Sequence, residues 1–194
     1  LIEKNDSLKA VAYEHFRKSG RKGFPIIRSN AVQALDDADS LLSEKGYRPE
    51  IVFFDLPGTL KSDGVIKTLS QMDYIFTPVS ADRFVVESAL QFVMMFNDNL
   101  VTTGLAKTKD ISLFWTMVDG REKTGLYDLY GKLFAENNFR VLDTRLPDSK
   151  RFRREPSDDR KSVFRSTILP PDTSMLKGSR IRELSEEICS IING

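Results

Sequence analysis

Short β-branched and aromatic runs recur along this chain, each separated from the next by a longer amphipathic stretch, and that alternation limits the folds open to it. The runs occupy residues 24–28, 51–54, 74–79, 111–118 and 140–144. The second of them (Ile51, Val52, Phe53, Phe54) is apolar at successive positions, so it predicts a parallel strand buried on both faces. Helical patterns fill the gaps. Residues 8–20 end at Gly20, and residues 30–44 start at a capping Asn30 with Gly46 just past their end. Further helices are expected over 65–72, 83–100, 121–137, 157–164 and 181–192. Strands alternating with helices at this spacing predict βαβ units, right-handed crossovers and an α/β, doubly wound, mostly parallel sheet. Ligands of such sheets bind at the carboxyl ends of the strands. Asp55, Ser80, Thr116 and Arg145 stand there. A chain of 194 residues is read as one domain, with the Pro-rich stretch 169–174 as a surface crossing.

Composition narrows the function classes. Apolar residues make up 40% and charged residues 29%, as in ordinary globular proteins, and the net charge is +1. There is no global electrostatic case for a nucleic-acid partner, so any such case rests on local clustering. The single cysteine, Cys189, excludes an internal disulfide and fits a cytoplasmic location. No apolar run is long enough to span a bilayer. The first residues lack the zones of a signal peptide, and the chain does not begin with Met, so a fragment or processed form is expected.

The sharpest chemistry lies at Ile51, Val52, Phe53, Phe54, Asp55, Leu56, Pro57 and Gly58. Four apolar residues carry a carboxylate to a strand end, and a glycine follows three residues later. Mg²⁺ favours hard oxygen ligands and keeps several waters, so an aspartate in this position suits it, directly or through water. A glycine lets a backbone N–H approach a phosphate with no side chain in the way. The bland alternative is a buried strand that ends in an aspartate and a turn.

The surrounding segments decide between these. Residues 51–59 (IVFFDLPGT), 72–82 (MDYIFTPVSAD), 114–124 (FWTMVDGREKT), 144–153 (TRLPDSKRFR) and 161–164 (KSVF) occur in that order. Together they resemble the ParA/MinD family of partitioning ATPases, most nearly the ParA-like proteins, often labelled TraA, on conjugative elements of Bacteroidales. The likeness runs from about residue 10 to 190. It implies a P-loop NTPase-like fold and a homodimer with ATP and Mg²⁺ between the subunits. It also implies a role in plasmid or chromosome partitioning or conjugative transfer, with a partner protein and non-specific DNA binding. Under the resemblance Asp55 is the catalytic Walker B residue serving Mg²⁺, and Pro57 and Gly58 lie at the γ-phosphate. Thr116, Met117 and Asp119 lie near the base, and Pro147 and Asp148 belong to the loop that covers it. The family commonly has Asn where Thr116 stands.

One departure is large. The family's Walker A segment, of the form K-G-G-x-G-K-S/T, precedes Walker B by roughly a hundred residues. No such segment occurs in this chain; the glycines at 20, 23 and 178 lack the spacing. The P-loop amides and lysine cradle the phosphates, so tight ATP binding is not expected of these residues alone. The expectation is that about fifty further residues, carrying the first strand and the P-loop, precede Leu1.

Several other features carry weaker signals. Residues 140–165 hold nine basic side chains against five acidic ones. Lys150, Arg151, Arg153, Arg154, Lys161 and Arg165 form a candidate DNA-binding surface working by counterion release, or else a solvated loop and helix. His15, the only histidine, has no metal-ligand neighbours in sequence and is read as structural. Cys189 is placed on the apolar face of the last helix with Leu184, Ile188, Ile191 and Ile192. Met94, Met95 and Phe96 are placed in a buried helix; Ser80 and Asp82 follow a strand end and are candidates to face the dimer interface or the nucleotide, while capping of the next helix explains Asp82 as well. Two competing functions stand beside the ATPase. One is a non-catalytic DNA- or partner-binding module. The other is a GTPase, in which Asp55 to Gly58 and Thr116 to Asp119 serve as guanine-nucleotide motifs, with Met117 where a lysine belongs.

Overall fold

Among the described residues, strand pairing starts at Tyr74. The structure is a computed structural model describing residues 26–45, 48–58, 63–121, 125–149 and 176–194. Its sheet has three strands in the order β1-β2-β3: β1 is Tyr74–Val79, β2 Asp110–Trp115 and β3 Arg140–Val141. β3 runs parallel to β2, with Ser112 opposite Arg140 and Leu113 opposite Val141. Ahead of β1 and β2, Lys107 N donates to Ser70 O and Lys109 N to Asp73 O, so those segments also advance in one direction. The helices are α1 (Ala34–Lys45), α2 (Val65–Leu69), α3 (Arg83–Phe96), α4 (Leu126–Glu136) and α5 (Ile181–Asn193). With α3 joining β1 to β2 and α4 joining β2 to β3, the fold is an open parallel sheet with flanking helices, in the α/β class. Among the described residues no helix is long and apolar enough to cross a membrane.

The chain divides into two compact units. The larger comprises Ile26–Leu113 and Tyr127–Val141. Its core follows from α3. Asp82 caps the helix, accepting from Phe84 N at 2.9 Å and Val85 N at 3.1 Å. Val86, Ala89, Val93 and Phe96 then recur every three or four residues and bury one face. Burying a Val or Phe side chain stabilises by about 1.5–3 kcal/mol. Met94 lies off that stripe and is 43% exposed, which corrects its placement in the core; Phe96 is fully buried. Past Phe96 the helix widens into a π turn, Asn97–Val101, where Thr102 N donates to Asn97 O. There the Asn99 amide and the Thr102 and Thr103 hydroxyls bond back to the carbonyls of Met95, Asp98 and Asn99.

Asn30 does cap, as expected: its Oδ1 accepts from Val32 N and Gln33 N, both at 3.0 Å, ahead of α1. Gly64 packs on this turn with φ 83°, and a Cβ there would lie 2.6 Å from Val32 Cα. Thr68 Oγ1 donates to Ala31 O at 2.7 Å and locks α2 to the same turn. Only glycine fits both the left-handed backbone and the close approach.

Residues 51–54 depart from expectation. They take no place in the β1-β2-β3 sheet, and Val52 and Phe53 are 46% and 76% exposed. β-propensity reports how a residue fits a pleated surface with neighbours, and it does not make a strand where no ladder forms. Residues 26–28, within the expected strand over 24–28, are likewise outside any strand and exposed. The expected helices over 8–20 and 157–164 lie outside the described residues.

The described residues of the second unit are 114–121, 125–126, 142–149 and 176–194. Trp115, Leu142 and Leu184 are its buried apolar residues. Cys189 is exposed, which corrects its assignment to the apolar face of α5. Five positions after Leu184 it has turned about 140° around the helix, away from the Leu184 face.

Candidate functional site

The carboxyl ends of β2 and β3 converge in the second unit. Beyond Trp115 the chain meets the segment that follows β3. Leu146 N donates to Trp115 O at 2.8 Å, Val118 N to Leu146 O at 3.0 Å and Asp148 N to Val118 O at 2.9 Å. Val118 and Pro147 form a parallel bridge. Thr116, Met117, Asp119, Pro147 and Asp148, which the family resemblance would bring to one base-binding region, therefore sit on two paired segments. Both segments follow the carboxyl ends of parallel strands, where open α/β sheets bind ligands.

Met117 takes a left-handed backbone, φ 56°, and its side chain is 54% exposed. An unbranched side chain tolerates this at a modest cost. Asp119 is engaged by its neighbour: its Oδ1 accepts from Arg121 N and Nε, both at 3.0 Å, and its Oδ2 from Arg121 Nη2 at 2.8 Å. The guanidinium side chain first, then the Arg121 backbone N–H, holds the Asp119 carboxyl down to about 2. Arg121 is raised in turn, by Asp119 first and more weakly by Asp148. Sequence reasoning did not single out Arg121, although its spacing of two from Asp119 favours a turn closed by a side chain.

A second residue missed from the sequence is Glu187, on α5. Its Oε1 accepts from Asp143 N at 2.7 Å and its Oε2 from Thr144 N at 2.9 Å. This pair accounts for the shortness of β3. The strand is expected over 140–144 and ends at Val141, and a carboxylate accepts the amide hydrogens of 143 and 144.

Asp55, Pro57 and Gly58 belong to the larger unit, and all three are exposed. A Cβ built on Gly58 meets nothing within 4 Å, so packing inside the protein does not demand a glycine there. The exposed Asp55 carboxylate suits Mg²⁺ held by one protein oxygen and water. No group of three His, Cys, Asp or Glu side chains that could cage a metal occurs among the described residues. The phosphates of a nucleotide are less well served, because the chain carries no glycine-rich Lys-Ser/Thr segment to cradle them. Lys150, Arg151, Arg153, Arg154, Lys161 and Arg165, like His15, lie outside the described residues. Set against protein-family models, curated proteins and solved structures, the chain matches none of them.

Proposed function

We propose that this chain is the Walker-B-bearing body of a ParA/MinD-like partitioning ATPase with a doubly wound, P-loop NTPase-like fold. The observation that carries the reading is the pairing of residues 115–118 with 146–148, because the resemblance assigns both segments to one nucleotide base. The ordered motifs from 51 to 164 support it. In this reading Mg-ATP supplies the phosphoryl group to be transferred to water. Asp55 orients the metal or its water, and Pro57 and Gly58 leave the backbone open to the terminal phosphate. Thr116, Met117, Pro147 and Asp148 hold the base, while Arg121 holds Asp119 turned into its own loop. Dimerisation around the nucleotide, cargo movement on DNA and a cytoplasmic setting follow from the same family. The missing Walker A segment favours a second reading, a non-catalytic module that binds DNA or a partner protein.

Thermal-shift measurements separate these readings. They follow the protein as its gene encodes it, beside these 194 residues alone, against ATP, GTP and Mg²⁺. The expected result is stabilisation of the gene product by Mg-ATP, lost in its Asp55→Asn variant, and little response from the 194 residues alone. No nucleotide effect on either form supports the module and sinks the ATPase; preference for GTP sinks it in favour of a GTPase.

A further inference from the structure

We infer that Glu187 is a positioning residue whose carboxylate stands in for a neighbouring strand and sets how residues 142–148 lie against residues 115–118. The amide donors of this segment divide between two partners. Asp143 N and Thr144 N go to the two oxygens of Glu187, while Leu146 N and Asp148 N go to Trp115 O and Val118 O. Leu142 and Thr144 are buried, so the segment is held from below as well as from its sides. A buried backbone N–H left without an acceptor is costly, and at Thr144 Glu187 removes that cost. The carboxylate is itself placed by α5, whose Leu184, one turn earlier, is buried. A carboxylate accepting two adjacent amide hydrogens fixes their direction more tightly than a single carbonyl does. From Thr144 the chain is two residues from Leu146 and four from Asp148, so a rotation at 143–144 moves both donors off their acceptors.

That the positioned loop meets a nucleotide rests on the function proposed above; the latch itself does not. Hydrogen exchange of the full chain therefore tests the latch without nucleotide, comparing the parent with Glu187→Ala and Glu187→Gln. Trp115, the only tryptophan, reports independently by its emission. In Glu187→Ala, amides 143, 144, 146 and 148 should all exchange faster, by about tenfold or more, with Trp115 emission shifted to the red. Glu187→Gln keeps one acceptor oxygen and should show a smaller effect in the same amides. It decides the matter if the alanine variant fails to fold. Faster exchange confined to 143 and 144, with 146, 148 and Trp115 unchanged, overturns the inference. In the protein as its gene encodes it, a latch response without any ATP stabilisation sinks the nucleotide reading alone. ATP stabilisation unaltered by Glu187→Ala confines the latch to the fold.

Discussion

Asp119 and Arg121 lie two positions apart and close a turn on themselves through three hydrogen bonds. The carboxyl is held at about 2, below its ordinary 3.8. A depressed carboxyl contributes stability that is fully present above its unfolded value and is lost as pH falls through the folded one. The contribution of this pair is therefore whole above about pH 4 and disappears as pH falls from 3.8 towards 2. Both groups face solvent, so screening keeps the effect small. A carboxyl-carbon NMR titration should place Asp119 near 2 in the parent and higher in Arg121→Ala, short of the ordinary 3.8 because the backbone N–H of residue 121 still donates to it. A midpoint that stays near 2 in the variant would remove Arg121 as the cause. Asp55 and Gly58 are exposed and their order can be read in the sequence, but the strand end expected just before them is not formed. The partner of Asp119 depends on a local turn, and the acceptor role of Glu187 on a helix far along the chain.

At the scale of elements, α3 is where sequence and structure agree most closely. Its cap, Asp82, holds two of the amides that a helix start leaves unpaired. Asp82→Ala should lower stability by about 0.5–2 kcal/mol, read as a lower urea midpoint at unchanged slope. A variant with an unaltered midpoint would show that the cap contributes nothing. Helix starts and apolar stripes are set by neighbours within a few residues, which is why Asn30, Asp82 and the stripe from Val86 to Phe96 are legible in the sequence. Strand membership is not local in that sense. The run from Ile51 to Phe54 has the composition of a central strand and stands outside the sheet. The run from 140 stops at Val141 because a helix side chain takes the next amides. The stripe of α5 is legible in outline, but helix angle sets Cys189 apart from Leu184.

For the molecule as a whole, a net charge of +1 leaves DNA affinity to the local basic excess between 140 and 165. If that excess binds phosphates, changing Arg151, Arg153 and Arg154 to Ala should weaken non-specific DNA binding about uniformly across sequences. The salt slope should also become shallower by roughly one for each phosphate no longer neutralised. Equal binding by parent and triple variant at low salt would assign these arginines to a solvated surface. The sequence by itself determined the α/β class, the two βαβ connections, the helix caps and Ser80 and Thr116 as the residues that follow β1 and β2. These depend on periodicity and on neighbours a few positions away. Only the tertiary structure decided that residues 116–119 meet 146–148, that Ile51 to Phe54 stays outside the sheet, and that Glu187 holds the end of β3. The physical reason is separation along the chain: Glu187 lies 43 and 44 residues from the amides it accepts, and local propensity carries no record of partners so distant.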